Sequence, residues 1–335
     1  MDLTLTLVII TIALALIFDF LNGFHDAANA IATIVSTRVL KPHFAVLWAA
    51  SFNFIAFLFF GVKVATMIGI GLIDPSIITV PMILAALIGA IFWNIFTWFF
   101  GIPSSSSHAL IGGLLGAGIA KAGFAPLNLI GISKVLLAIV ISPLLGAIMA
   151  SILILFIARL CFYSTPSSVD HWFRKFQLLS SACISLGHGG NDAQKTMGII
   201  AILLYSAGLS GDHFYIPLWV VISCYFVISL GTLFGGWRIV KTMGMRITKL
   251  KPFSGFCAET ASALVLFLAT ILGIPVSTTH TIAGAIVGVG SLNGAAAVRW
   301  GIARNIVWAW ILTIPAAGIV GAVAWWILVA LLSLK

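Results

Sequence analysis

Apolar residues form long runs along this chain, and short polar segments separate the runs. Most runs reach the length of about 20 residues that a helix needs to cross a hydrocarbon layer of roughly 30 Å. Strands of a membrane barrel would instead alternate apolar and polar residues over about 10 positions. The pattern therefore predicts an all-α polytopic membrane protein. Its first run, Leu3–Leu21, follows Asp2 and leads into further sequence, so we expect a membrane helix there and not a cleaved signal peptide.

Two halves of the chain are similar at offsets of 166 to 176 residues. The motif GFHDAAN at Gly23–Asn29 matches GGNDAQK at Gly189–Lys195, which aligns Asp26 with Asp192. Several matches in the same order are typical of an internal repeat. The other matches are IPSSSSH at Ile102–His108 with IPVSTTH at Ile274–His280, His43-Phe44 with His213-Phe214, Thr66-Met67 with Thr242-Met243, and Gly131-Ile132 with Gly301-Ile302.

These matches predict a first repeat at residues 1–162, a short polar connector at 163–175 and a second repeat at 176–335. Each repeat is expected to contain a helix interrupted at its Asp motif, an uninterrupted helix, a segment ending at IPxSxxH, a short segment and a long helix. The segments around IPxSxxH are expected to form a hairpin that either crosses fully or re-enters. Together the repeats predict roughly 10–12 membrane helices or half-helices, with broken helices and paired hairpins.

Composition supports a membrane location and excludes two other classes. Hydrophobic residues make up 61% of the chain and charged residues 7%, whereas soluble proteins carry about 25% charged residues. The 17 Lys and Arg exceed the 8 Asp and Glu, but much of this positive charge lies in short loops, where it sets membrane orientation. We therefore expect no nucleic-acid partner. The four cysteines show no metal-ligand spacing, and we expect neither a fixed metal nor a cofactor.

Equivalent loops of the two repeats carry opposite charge patterns. Arg38 and Lys41 follow the first helix, whereas the matching loop Leu209–His213 has neither Lys nor Arg. Because Lys and Arg mark the cytoplasmic side, the pattern predicts two inverted-topology repeats, with both termini outside and the connector in the cytoplasm. The second loop pair reverses the pattern, with only Lys63 in Val62–Ser76 against Arg238, Lys241, Arg246, Lys249 and Lys251 in repeat two.

Ionisable residues inside the spans are candidates for function, because they are costly to place in lipid. Asp26 has Gly23, Asn22, His25 and Asn29 close in sequence. A carboxylate with freed carbonyls at an unwound helix suits a small cation or a proton. The alternative is an ordinary helix-capping aspartate. Asp192 is the second such carboxylate, with Gly189, Gly190, Asn191 and Lys195 close in sequence.

The two Ser/Thr tracts are candidates for anion binding. A helix that restarts after the proline would direct its free N–H groups and its hydroxyls at one point, although Ser and Thr also cap helices without any ligand. Anion and cation sites in one core indicate co-transport. The tract residues are Ser104, Ser105, Ser106, Ser107, Ser277, Thr278 and Thr279.

Further candidates inside the predicted spans are Glu259, as a proton relay or a structural partner, and Asp19, which lies two turns before Asp26. His108 and His280 follow the tracts directly, and His188 flanks the second Asp motif. A structural role at the hairpin tips is the main expectation for these histidines.

The paired motifs resemble those of the PiT inorganic phosphate transporters, over nearly the whole chain, and NGFHD is similar to the bacterial low-affinity Pit branch. The resemblance implies that Asp26, Asn29, Asp192 and the Ser/Thr tracts line the phosphate and coupling-ion sites. Lys195 is a further candidate for phosphate, and Asn191 and Glu259 for the coupling ion. The resemblance also implies a homodimer in the bacterial cytoplasmic membrane.

His25 departs from the family motif, which usually has Asn there. A sodium site in repeat one would thus lose an amide oxygen, and a histidine can carry a proton. We therefore expect phosphate import by symport with H+ in preference to Na+, with a neutral metal-phosphate complex as a possible cargo form of the branch. Alternatives are a sulfate permease of the same family, an anion channel and an intramembrane hydrolase using Ser104 and His108.

Overall fold

The computed structural model describes residues 3–211 and 213–332, which are almost entirely helical with no named strand; an isolated bridge joins Ile73 to Leu127. This confirms the all-α prediction. The α-helices of the described residues are α1 Leu3–Ser36, α2 Pro42–Ile55, α3 Lys63–Ile70, α4 Val80–Phe100, α5 Ser106–Ala122, α6 Leu129–Leu160, α7 Pro166–Ser206, α8 Leu218–Phe234, α9 Trp237–Lys241, α10 Pro252–Ile271, α11 Thr278–Ser291 and α12 Trp300–Leu332.

The order of elements in α1–α6 returns in α7–α12. A long helix comes first, followed by a bent pair, a hairpin and a second long helix. The bends are 84° between α2 and α3 and 62° between α8 and α9, so the helix expected to be uninterrupted in each repeat is broken instead. The division into residues 1–162 and 176–335 remains a prediction.

The predicted connector is mostly helical. Pro166 is the first residue of α7, and the Thr165 side chain accepts a hydrogen bond from the Ser168 amide at 3.3 Å. A capping hydroxyl followed by proline is a strong helix start. Residues 166–175 therefore form the beginning of α7. Their polar composition reflects an exposed helix and not a loop.

The expected helix breaks at the Asp motifs are absent, because α1 and α7 continue through Asp26 and Asp192. Their glycines serve close packing. A Cβ on Gly23 would lie 2.0 Å from the carbonyl oxygen of Ile228 in α8, and one on Gly189 would lie 2.5 Å from that of Asn53 in α2. The prediction of freed carbonyls at these positions is wrong.

The hairpins α4–α5 and α10–α11 are present as predicted, and each packs against the long helix of the other half. Helix α5 packs on α12, and α11 packs on α6. A Cβ on Gly112 would approach the Ile314 carbonyl oxygen to 2.5 Å, and one on Gly284 would approach that of Pro143 to 2.1 Å. The two halves are thereby interlocked around the hairpins.

Within the described residues, five helices are long and apolar enough to cross a membrane, or up to seven spans if each bent pair is counted. The five are α1, α4, α6, α10 and α12. Helices α6 and α12 expose many large apolar side chains, among them Phe156 and Trp326. Such surface is stable in lipid, and the chain is therefore a multi-pass membrane protein. The predicted position of both termini concerns residues 1–2 and 333–335, which lie outside the described residues.

Candidate functional site

The tips of the two hairpins lie beside the centres of α1 and α7. Gly101 and Gly273, with φ of 64° and 71°, occupy the left-handed conformation that ends α4 and turns the chain after α10. Glycine adopts this conformation without a steric cost. The Ser/Thr tracts follow, and α5 and α11 begin within them at Ser106 and Thr278.

Each tract contains one capping residue and several residues directed elsewhere. The Ser105 side chain accepts a hydrogen bond from the His108 amide at 3.2 Å, and the Ser277 side chain accepts one from the His280 amide at 3.2 Å. The capping role considered from sequence therefore belongs to Ser105 and Ser277. The first turns of α5 and α11 offer further N–H groups, which is the arrangement that binds anions at helix N-termini.

Asp26 lies between its neighbour on α1 and both hairpin tips. His25 Nδ1 is 2.9 Å from Asp26 Oδ1, and the hydroxyls of Ser106 and Thr279 donate to the same oxygen at 3.4 Å. His25 Nε2 lies 3.1 Å from the Thr97 hydroxyl. One carboxylate therefore contacts a titratable base and residues from two different hairpins.

Ser104 is placed behind this contact. Its hydroxyl donates to the Thr97 hydroxyl at 2.9 Å, and its side chain is fully buried. Ser104 therefore supports the position of His25 through Thr97. Among the described hydrogen bonds, none joins Ser104 to Asp26.

Asp192 is paired with a buried cation. Lys195 Nζ donates to Asp192 Oδ1 at 2.6 Å, and the Thr278 hydroxyl donates to Oδ2 at 3.4 Å. His188 Nε2 lies 3.6 Å from the same Oδ2. The Lys195 ammonium also donates to the Ser107 hydroxyl and, at 2.8 Å, to the Val276 carbonyl. Lys195 is therefore held inside the site and does not extend to the membrane surface.

The two asparagines of the motifs differ in their partners. Asn29 Nδ2 donates to the hydroxyls of Thr278 and Thr279 at 2.9 Å each, whereas Asn191 Nδ2 donates to the Thr270 hydroxyl at 3.0 Å and to the Ile274 carbonyl at 3.3 Å. The side-chain oxygens of both asparagines are buried without a hydrogen-bond partner. A buried acceptor of this kind is expected to bind a donor or a cation.

The site is closed and compact. Its side chains are at most 2% exposed. Asp26, His188 and Asp192 each offer a ligand atom within 4.8 Å of the others. Two carboxylates and one imidazole are chemically suited to a cation. The site therefore combines, out of contact with solvent, hydrogen-bond donors that suit an anion and ligands that suit a cation.

Glu259 lies outside this cluster, although it was predicted with the coupling-ion residues. Its carboxylate accepts hydrogen bonds from Thr33, Ser180 and, at 3.0 Å, Gln177. Thr33 is two turns beyond Asp26 on α1. Asp19 is also separate, and it accepts a hydrogen bond from Thr196 at 2.8 Å.

The remaining histidines occupy two positions. His108 and His280 face each other behind the tips, with ring centroids 4.8 Å apart, and His280 stacks on Trp310 at 3.9 Å. His188 instead joins the carboxylate cluster, and its Nδ1 lies 3.2 Å from Asn53 Oδ1.

Thr97 and Thr270 orient side chains of the Asp motifs and were not among the residues predicted from the sequence. Thr97 contacts His25, and Thr270 contacts the aligned Asn191. They precede Ile102 and Ile274 by five and four residues. This recurrence near the IP dipeptides was a signal that could have identified them.

Known proteins resemble the chain over almost its full length. The chain is 62% identical over 327 residues to a "Probable low-affinity inorganic phosphate transporter" of Rhizobium meliloti (strain 1021), covering 97% of this chain and 98% of that one. A protein of the same description from Bacillus subtilis (strain 168) is 44% identical over 330 residues, covering 98% and 99%.

A solved structure, described as "The sodium-dependent phosphate transporter", matches with a TM-score of 0.89 and 27% identity, covering 96% of this chain and 99% of that one. These proteins are transporters, which excludes the hydrolase hypothesis. The model of the family described as "Phosphate transporter family" matches residues 22–321. The resemblance noted from the motifs is thereby confirmed, and the chain belongs to the phosphate transporter family.

Proposed function

We propose that the chain is a secondary active transporter that imports inorganic phosphate together with a cation. The observation that carries the proposal is the meeting of two Ser/Thr-rich helix N-termini with Asp26, Asp192 and Lys195. Hydroxyls, free N–H groups and an ammonium suit a tetrahedral oxyanion. The relatives' descriptions name phosphate, which supports this choice of anion.

The two carboxylates favour phosphate over sulfate, the rival substrate. Phosphate at neutral pH carries a proton that it can donate to Asp26 or Asp192, whereas fully ionised sulfate would only meet their negative charge. Lys195 offsets one of these charges. The occluded geometry with paired hairpins supports a transporter in preference to an anion channel.

The partners of the carboxylates support H+ as the coupling ion. His25 contacts Asp26, and His188 and Lys195 contact Asp192. Sodium prefers oxygen ligands, and the continuous α1 and α7 keep their carbonyls in helical hydrogen bonds. Na+ is the alternative, because the solved structural neighbour is described as sodium-dependent. A metal-phosphate cargo would place its metal near Asp26, His188 and Asp192.

Coupling to a cation has an electrostatic reason. Each negative charge that enters a cell against the membrane potential costs about 2.3 kcal/mol per 100 mV. A co-transported cation removes this cost. Inverted repeats with interlocked hairpins would provide the alternating access. The transporter would act as a homodimer in the bacterial cytoplasmic membrane. Light scattering of the purified protein would test the dimer by measuring its mass.

The test of the function is uptake of radiolabelled phosphate into proteoliposomes under an imposed H+ or Na+ gradient. We expect proton-driven uptake that excess sulfate does not inhibit and that Asp26→Asn and Asp192→Asn abolish. Uptake of sulfate in place of phosphate would overturn the substrate. Uptake driven only by Na+ would keep phosphate and overturn H+ coupling.

A further inference from the structure

A cavity with several basic residues lies at the base of the second hairpin, far from its tip. Its volume is about 570 Å³, within the range of small-molecule sites. The cavity is bounded by the start of α10, the segment after α11 and the C-terminal part of α6. The polar residues that line it are Thr248, Lys249, Lys251, Ser254, Asn293 and Arg299.

The cavity has an excess of positive charge. Lys249, Lys251 and Arg299 are exposed and form no ion pair with a carboxylate in the described parts of the chain. Beyond position 212 the sequence has a single acidic residue, Glu259. Its side chain is buried and holds three hydrogen bonds of its own. Three unneutralised cations around one cavity are suited to an anion.

Backbone contacts hold the walls together. The Arg299 amide donates to the Ile247 carbonyl at 2.9 Å, and the Thr248 hydroxyl donates to the Ala297 carbonyl at 3.0 Å. The segments that carry Lys249 and Arg299 are therefore fixed relative to each other. An anion in this cavity would therefore contact basic residues whose backbone positions are fixed by hydrogen bonds.

The matching place in the first half has a different construction. There Lys121, at the end of α5, donates to the Ile77 carbonyl and, at 3.0 Å, to the Thr79 hydroxyl. With the offset of 172 residues that aligns His108 with His280, Lys121 aligns with Asn293. In the first half, Lys121 thus donates a hydrogen bond to the Ile77 carbonyl. In the second half, the aligned residue is the uncharged Asn293, and three basic residues line a cavity beside it.

One wall of the cavity is apolar, and the cavity lies where spanning helices end. Ile154, Met245 and Phe253 form this wall. Beside Ile154, the α6 side chains Leu155 and Phe156 are exposed on the lipid-facing surface. A cavity with cations on one side and lipid-facing apolar residues on the other matches a phosphate ester that carries acyl chains.

We propose that this cavity binds the phosphate group of an anionic phospholipid. Lys249, Lys251 and Arg299 contact the phosphate, and Ile154, Met245 and Phe253 contact the glycerol and the first part of an acyl chain. The volume exceeds what inorganic phosphate alone would fill, which favours the lipid over the transported ion. The bound lipid lies at the base of the hairpin whose tip carries Thr278 and Thr279.

The experiment measures binding of phosphatidylglycerol to the delipidated full chain by titration in detergent and native mass spectrometry. Each cation near a membrane surface strengthens binding of an anionic lipid by roughly fivefold. The variant Lys249→Gln/Lys251→Gln/Arg299→Gln is therefore expected to bind phosphatidylglycerol about 100-fold more weakly. The control is Lys41→Gln/Lys175→Gln/Arg304→Gln, which removes equal charge from exposed residues outside the cavity.

Equal weakening in the cavity variant and in the control would overturn the proposal, because it would show attraction to a general basic surface. A second arm adds glycerol 3-phosphate or inorganic phosphate as competitor. Displacement of phosphatidylglycerol by either at similar concentration would overturn the lipid as ligand. The single variant Arg299→Gln repeats the test if the triple variant fails to fold, and the binding readout does not depend on phosphate transport.

Discussion

Lys195 is the residue at which the fold and the proposed transport are most closely connected. Lys195→Met would leave Asp192 buried without its cation, and breaking a buried ion pair costs about 3–5 kcal/mol. We expect a lower melting temperature and loss of phosphate uptake. In Lys195→Met/Asp192→Asn the melting temperature is expected to recover without recovery of uptake. Because Asp192→Asn alone is expected to abolish uptake, the part of Lys195 in transport is measured in Lys195→Met below its melting temperature, and normal uptake there would show that Lys195 serves only the fold.

The role of His25 can be tested through ion dependence. His25→Asn supplies an amide where the imidazole contacts Asp26 and Thr97. We expect this variant to lose proton-driven uptake and to gain stimulation by Na+, because an amide oxygen is a sodium ligand and carries no proton. The measurement is phosphate uptake under separate H+ and Na+ gradients. The control is His43→Asn, at an exposed position, and an unchanged H+ dependence in His25→Asn would contradict the coupling proposed here.

At the scale of elements, the crossing of α11 with α6 depends on glycine. Gly284→Ala would bring its Cβ to 2.1 Å from the Pro143 carbonyl oxygen, so the helices must separate. Overpacking of this kind costs about 1–3 kcal/mol. We expect a lower melting temperature and reduced uptake of phosphate. Gly301→Ala in α12 is the matched control, because no described atom outside its own turn of helix lies within 4 Å of the added Cβ, and an equal loss there would contradict the close-packing explanation.

The elements also show which features sequence could predict. The hairpins followed from IPxSxxH and the need to keep an odd number of crossings, because a proline and Ser/Thr residues both break and restart a helix locally. The continuity of α1 did not follow, since a glycine in a helix can mark either a break or a close contact. Only the carbonyl of Ile228 against Gly23 decides between them.

The candidate site was predictable in its residue types but not in its pairings. The repeat indicated Asp26, Asp192 and the Ser/Thr tracts, because costly groups recurred at matching positions. That Asn29 binds residues of the second hairpin, 249 and 250 positions away, depends on how the halves interlock. The separate position of Glu259 has the same cause, since α10 meets α1 and α7 away from the carboxylates.

For the whole molecule, the packing of each hairpin against the long helix of the other half connects the two sides of the occluded site. Each hairpin packs on the long helix of the opposite half, and both tips contact Asp26. A movement that opens one tip would therefore be transmitted to the other half through α6 or α12. This arrangement supports alternating access only if the halves are inverted in the membrane.

That inversion predicts opposite exposure of matching loops. Lys63, the first residue of α3, and Lys241, the last residue of α9, are both exposed and lie in the equivalent bent pairs. In a Cys161→Ser/Cys183→Ser background, which removes the two partly exposed thiols, a membrane-impermeant thiol reagent is expected to label Lys63→Cys in intact cells. Lys241→Cys should react only after the membrane is permeabilised. Labelling of both variants in intact cells would place the loops on one side, and the parallel arrangement would then require the hairpins to open by a different movement.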